Sequence, residues 1–212
     1  MKVISTNVCN EPKTFIWNGA EEQTGIFKFP TSEKLFLTKS DVRKDTIINR
    51  VNHGGENKAC YLFSAEQYPF WKEKYPKLDW NWGMFGENLT ITGLDESKIR
   101  VGSIYKLGNA LVQVSQPREP CYKLGIRFGT QQILKEFIDQ NHPGTYVKIT
   151  EEGEVSVGDE LQLIQLSENT LTVQEFYQLM FMKEKPKELL HRFMENPAVP
   201  QYKKDRMQKF LE

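Results

Sequence analysis

Short runs in which apolar and polar residues alternate, cut by glycine, proline and asparagine, fill most of the chain up to residue 166. A period of two sends successive side chains to opposite sheet faces, so these runs predict strands. KVISTNVC near the start is one. TGIFKFP is another, with Gly25 at its entry and Pro30 closing it, and EKLFLT (33–38) is a third. Over 99–115, IRVGSIYKLGNALVQVS predicts a hairpin turning at Leu107-Gly108-Asn109. GTYVKITEEGEVSVGDELQLIQL (144–166) predicts two or three further strands, punctuated by Glu152-Gly153 and Gly158-Asp159. Short strands at this spacing point to a barrel or sandwich rather than to alternating strand–helix units.

Two helices interrupt the strands. SAEQYPFWKEKYP (64–76) opens on Ser64, with Pro69 early in the helix. TQQILKEFIDQNHPG (130–144) sets Ile133, Leu134, Phe137 and Ile138 on one face and stops at Pro143-Gly144. From about residue 170 the pattern becomes helical and charged. TVQE (172–175) is a capping box, followed by an apolar stripe of Phe176, Leu179 and Met180. PKELLHRFMENP (186–197) and PQYKKDRMQKFLE (200–212) complete three short helices joined by prolines. The division expected is a mainly β domain over 1–166 and a three-helix module over 167–212.

Composition narrows the function. Lys+Arg and Asp+Glu are both 28, so the formal net charge is zero, which argues against a binder of nucleic-acid polymers. Three scattered cysteines, Cys9, Cys60 and Cys121, form no CxxC pair, so neither a disulfide framework nor a structural zinc site is expected. The N-terminus lacks the apolar run of a secretory signal, and no window has the length of a membrane span. The cytoplasm, with free thiols, is the expected location.

Four stretches carry candidate chemistry. In NHGGENKA (52–59), His53 precedes Gly54-Gly55 and Lys58 follows. Such a turn can aim backbone N–H groups at an anion, or be a solvent loop with an incidental histidine. In GMFGENLTI (83–91), Glu87-Asn88 enter a β-branched run. Asn88 offers donors and an acceptor to a heterocycle edge, although the same pattern suits a hairpin turn. SQPREPCYKLG (115–125) places Cys121 between Arg118 and Lys123 in a loop stiffened by Pro117 and Pro120. Neighbouring cations favour a thiolate, the form that attacks or ligates, whereas a plain core cysteine behaves as a small hydrophobe. Cys9 and Cys60 read as packing. Asp45 and Arg50, in RKDTIINR, suit a site or a solvated loop equally, and the aromatic run 71–85 reads as core.

Taken in order, these stretches resemble the MOSC family (molybdenum cofactor sulfurase C-terminal domains), in its YiiM-like branch. The resemblance rests on TGIFK (24–28), HGGENKA (53–59), GENLTITGL (86–94), VGSIYKLGNALVQVSQPREPCYKL (101–124) and GEVSVGDELQL (153–163). It implies a β-barrel-like MOSC domain followed by a small three-helix module, and a bound molybdenum cofactor (molybdopterin). Cys121 is then the expected protein ligand of the metal, since a soft thiolate suits a thiolate-rich centre. Arg118 and Lys58 would meet the cofactor's phosphate or pterin, and His53, Gly54, Gly55, Glu87 and Asn88 would shape the pocket. The chain departs from the family at Lys44 and Asn49, where a glycine and a second acid are often found, and keeps Asp45. It also has Ser103 where an Asp is frequent.

The activity implied is a molybdenum-dependent, detoxifying reductase of small N-hydroxylated substrates such as hydroxylaminopurines or hydroxamic acids. The chain has no GxGxxG after a strand and no CxxC, so electrons would come from a separate flavin-type reductase. No pyridoxal phosphate site is expected. A homodimer is expected from the resemblance. Two rivals stay open: a sulfur-transfer (persulfide) or molybdenum-cofactor carrier protein acting through Cys121, and a pterin-binding or interaction module without turnover.

Overall fold

The computed structural model describes residues 1–211, and of residues 51 and 52 the backbone alone. The N-terminal part contains β1 (Lys2–Val8), β2 (Lys13–Trp17), β3 (Ala20–Thr24), β4 (Phe29–Thr31), β5 (Leu35–Leu37) and a single helical turn, α1 (Arg50–His53). The middle runs β6 (Cys60–Ser64), α2 (Tyr68–Lys74), β7 (Leu89–Thr92), β8 (Ile104–Leu107) and β9 (Ala110–Pro117). Next come α3 (Tyr122–Phe128), α4 (Gln132–Gln140), β10 (Thr145–Glu151), β11 (Gly153–Val155) and β12 (Leu161–Gln165). Helices α5 (Val173–Phe181), α6 (Lys187–Glu195) and α7 (Gln201–Met207) follow.

One eight-stranded sheet, ordered β12-β8-β9-β10-β6-β7-β1-β4, organises the molecule. Its pairs are antiparallel except β6–β7, which is parallel. The sheet curls until β1 meets the start of β12. The Val3 amide donates to the Asp159 carbonyl at 2.8 Å, the Leu161 amide to the Met1 carbonyl at 2.9 Å, and Lys2 bridges Glu160. The ladder stops short of continuous closure, so the fold is mainly β and barrel-like. The small pairs β11–β5 and β2–β3 lie outside the large sheet.

Two apolar clusters fill the interior. In one, Val3, Leu89, Val112 and Ile149 of the sheet pack with Phe176, Leu190, Phe193 and Met207 of the C-terminal helices. The other is aromatic: Phe63, Tyr68, Trp71, Phe85, Phe128 and Phe137 pack between β6, α2, α3 and α4, with the Phe63 and Phe85 centroids 4.2 Å apart. The aromatic residues of the run 71–85 therefore lie in or against this core, while the charged ones between them are exposed. Within α4, Ile133 and Phe137 are buried and Leu134 and Ile138 pack against the same cluster. The Thr172–Glu175 capping box forms both of its bonds. Arg192 reaches across to Glu175 at 2.7 Å and ties α6 to α5.

Some expectations shift. Within TGIFKFP only the ends pair, Thr24 with Lys13 at the end of β3 and Phe29-Pro30 with β1, and residues 25–28 form an unpaired loop. The helix expected over 64–76 starts later, because Ser64 still belongs to β6; Pro69 falls in its first turn, where its missing N–H costs nothing. The third tail helix ends at Met207, and residue 212 of that span lies outside the described residues.

Under α4, the buried Glu96 carboxylate accepts from His142 Nδ1 at 3.0 Å and from the Gly144 amide at 2.9 Å. The bond to Glu96 raises the His142 pKa above its usual value. The folded state therefore binds the proton more tightly than the unfolded chain. This contribution to stability is complete below the unfolded value of about 6.5 and is lost as pH rises through the folded pKa. Urea unfolding of wild type against His142→Gln should show a difference of about 0.5 kcal/mol at pH 5.5, small because His142 is partly solvated, which fades by pH 8.5. A difference that grows with pH would contradict the pairing.

Candidate functional site

A cleft opens where the ends of β9, β6 and β10 meet three loops. Its wall includes Gly25, Ile26 and Lys28 from the loop after β3, Asp45–Asn49 ahead of α1, Tyr61, Gly86, Asn88, Arg118, Cys121, Lys123 and Tyr146. It encloses about 640 Å3 of empty space, a figure that includes open solvent. A second opening is lined by Gln116, Glu119 and Tyr122 and shares Asn49, His53, Lys58, Cys121, Lys123 and Tyr146 with the first. Cys121 thus stands where the two openings meet.

Local sequence sets the position of each group. Strand β9 ends at Pro117, and Pro120 has no N–H with which to continue a ladder. Cys121 is extended (φ −127°, ψ 166°) and caps α3, its carbonyl accepting from the Leu124 amide at 2.8 Å. Its thiol is half-buried, 3.9 Å from His53 Nε2. Arg118 turns inward, donates to the Phe85 carbonyl, and lies 5.2 Å from the Tyr61 ring centroid. The register of β10 on β6 pairs Tyr146 with Tyr61 and brings their centroids to 5.0 Å. Lys123 donates to the Gln23 carbonyl at 3.1 Å, and Tyr122 bonds Glu22 and stacks on Trp17 at 4.9 Å, so the β2–β3 hairpin is latched beside Cys121.

Asp45 organises the floor. Its carboxylate is ion-paired with Lys28 and accepts from Asn88 Nδ2 and from the Cys9 amide, both at 2.9 Å. Asn88 in turn accepts from the Tyr61 amide at 3.3 Å. Gly25 has no room for a side chain, since a Cβ there would stand 1.9 Å from the Thr46 carbonyl oxygen.

The cleft is electropositive: Lys28, Lys58, Arg118 and Lys123 line it against the carboxylate of Asp45. Burial, then Arg118, Lys58 and Lys123, push the His53 pKa down to about 4. His53 is therefore neutral at physiological pH, since protonation would add charge where three cations already face a partly dehydrated site. Burial also lowers the Lys58 pKa.

Of the residues singled out in the sequence, the structure brings His53, Lys58, Asn88, Arg118 and Cys121 to the cleft wall. Gly54 and Gly55 lie behind it, and their amides are used internally, on the Arg50 carbonyl at 3.1 Å and the Ser40 carbonyl at 3.2 Å. Glu87 points away into the core, where it accepts from Tyr68, Thr90 and the Gly83 and Phe85 amides. Cys9 and Cys60 are buried. Tyr61, Tyr146 and residues 46–48 join the wall without a signal in the sequence, and Lys28 and Asn49 are marked there only by the resemblance. They arrive through strand register and loop closure, which no local spacing displays.

Among the described residues no three His, Cys, Asp or Glu side chains cluster as a metal-binding set. A metal in this cleft would need ligands of its own beyond Cys121, and a dithiolene cofactor brings them. Lys58, Arg118 and Lys123 suit the phosphate of such a cofactor, while Lys28 is engaged by Asp45. On donor chemistry and charge, the residues fit the group.

A mainly β sheet curled around a cleft with a cysteine in an Arg-x-x-Cys loop defines the class: the chain belongs to the MOSC domain family, whose family model matches residues 49–162. Within that family it is YiiM-like. The crystal structure of YiiM from Geobacillus stearothermophilus superposes with a TM-score of 0.82 at 27% identity, covering 100% of this chain and 99% of that one. The uncharacterized protein YflK of Bacillus subtilis (strain 168) is 35% identical over 93% of this chain and 88% of its own length. A protein named Reductase from Gibberella moniliformis is 32% identical over 69% of this chain, a match that spans 27% of that larger protein.

Proposed function

We propose that the protein is a molybdenum-cofactor enzyme that reduces N-hydroxylated compounds, with Cys121 as the protein ligand of the metal. The observation that carries this reading is the placing of Cys121 Sγ, half-buried, in a cleft lined by Lys28, Lys58, Arg118 and Lys123. Family membership and the relative named Reductase support it. The overall conversion is R–NHOH + 2e⁻ + 2H⁺ → R–NH₂ + H₂O. When bound, the cofactor supplies an oxygen acceptor and storage for two electrons.

The chain's own residues do the rest. Arg118, Lys58 and Lys123 would hold the anionic part of the cofactor, and Asn88, oriented by Asp45, would face its heterocycle. His53, neutral beside Cys121, adds no positive charge to the site and can relay a proton only by taking it on one ring nitrogen as it gives one up from the other. Electrons enter from a separate reductase.

The test is molybdenum and pterin content of protein made in cells that synthesise the cofactor, beside an assay of hydroxylaminopurine reduction with an artificial electron donor. Wild type should carry near-stoichiometric metal and turn over. Cys121→Ser should lose at least about 90% of both, since a hydroxyl is a poor substitute for a soft thiolate. Metal-free, pterin-free wild type with a reactive Cys121 would overturn the reading in favour of persulfide transfer.

A further inference from the structure

The loop that carries Cys121 is gripped from outside by the last helix. Between the end of β9 and the start of α3 the chain includes Pro117 and Pro120, which donate no backbone hydrogen bond. Side chains hold it instead. From inside, Arg118 bonds the Phe85 carbonyl. From outside, α7 makes three contacts at two points. Tyr202 donates its hydroxyl to Gln116 Oε1 at 2.7 Å, Lys203 forms an ion pair with Glu119, and Arg206 approaches the same carboxylate at 3.2 Å. Gln116 passes the contact on, donating Nε2 to the Asn57 carbonyl at 3.1 Å, next to Lys58. The Lys58 ammonium itself stands 5.8 Å from the Tyr202 ring centroid.

Helix α7 is anchored well enough to act as a fixed point. Met207 is buried in the main core, and Lys203, also buried, reaches Met180 of α5 at 3.6 Å. The ion pair on Glu119 is shielded on the Lys203 side, where that side chain is 3% exposed, so removing Glu119 would leave a poorly solvated amine without its partner. We propose that Tyr202, Lys203 and Arg206 are positioning residues for Cys121: by clamping Gln116 and Glu119 they fix where the thiol stands between the two openings. The C-terminal helices thereby take part in the site without touching it. This inference concerns the thiol's placement and stands whether Cys121 holds a metal or carries sulfur.

The test reads the thiol directly. The full chain is prepared from cells unable to make the molybdenum cofactor and treated with iodoacetamide at one fixed pH. Alkylation of each cysteine is followed by mass spectrometry, with buried Cys9 and Cys60 as internal references. Tyr202→Phe removes one hydroxyl, and Glu119→Gln removes the charge that two cations share. Each should alkylate Cys121 about tenfold faster than wild type, the factor by which losing one such bond shifts a local opening equilibrium. Leu190→Ala is the comparison, a buried α6 residue away from the loop. It should lower the Tm more than either and leave the Cys121 rate at the wild-type value. Rates unchanged in the two loop variants, or rates that follow Tm across all three, would reduce α7 to packing and overturn the proposal.

Discussion

Replacing Glu87 with alanine should cost about 4 kcal/mol or more of folding free energy, among the largest losses for a single substitution. The carboxylate is fully buried and accepts from four donors: the Tyr68 hydroxyl, the Gly83 amide at 2.9 Å, the Phe85 amide at 3.1 Å and the Thr90 hydroxyl at 2.9 Å. Alanine would leave all of them facing a cavity. Burial raises the Glu87 pKa, which shows that the charge is costly here even with its partners. Glu87→Gln separates hydrogen bonding from packing. It keeps the shape and one acceptor oxygen but turns an NH₂ toward a donor, so a loss of about 2 kcal/mol is expected. Urea unfolding with an unchanged m value is the measurement. A neutral glutamine variant would sink the four-donor account. Because Gly83–Asn88 also supplies the Phe85 carbonyl that receives Arg118, both variants should disturb the cleft as well as the fold.

The second large effect concerns Asp45. Its removal as Asp45→Ala leaves the Lys28 ammonium without its partner in a site where the lysine side chain is only 9% exposed. A broken buried pair costs about 3–5 kcal/mol, chiefly through the charge left behind. The decisive comparison is therefore with the double variant. Lys28→Met together with Asp45→Ala removes both charges, and more than half of the lost stability should return. The Asn88 amide and the Cys9 N–H stay without their acceptor, which sets the part that does not return. If the double variant is as unstable as the sum of the two singles, the pair is not what holds the floor of the cleft.

Much of the architecture is legible in the sequence because local chemistry and tertiary role agree. Gly108, at φ +57°, turns the hairpin between β8 and β9, and Thr172 and Glu175 form the reciprocal cap that their spacing announces. Other elements are hidden for identifiable reasons. The β2–β3 hairpin turns on Asn18-Gly19, both at positive φ, a strong signal. Yet β3 is AEEQT, with no apolar alternation to mark it as a strand. Helix α3 escapes notice because it contains Gly125, which weakens any helical reading. A Cβ there would meet only the far end of the Gln131 side chain, which can move aside. TGIFK looks like a strand because an extended loop and a strand share one alternation, and only a pairing partner separates them.

In the site, Arg118, Lys123 and Cys121 are visible as neighbours in sequence. Asp45 is ambiguous there, and its role shows only where three partners, from the end of β1, the Lys28 loop and the segment ahead of β7, converge on it. Lys44, just before it, adopts φ +68°, the left-handed region that glycine favours. This chain meets that conformation with a lysine, at some strain.

The way the curled sheet is joined has a consequence for how the chain is made. Strand β1 leaves the ribosome early, but its partner β7 is far along the chain, and its bridge to Glu160 comes later still. The apolar face that β1, β7, β9 and β10 share is then covered by Phe176, Leu190 and Phe193 from helices made after all of these strands. A nascent chain paused anywhere before residue 166 carries unpaired strand edges and an open apolar surface, the state most prone to aggregate. Folding must wait for those helices to emerge, and shielding of the growing chain by chaperones should govern how much native protein a cell obtains.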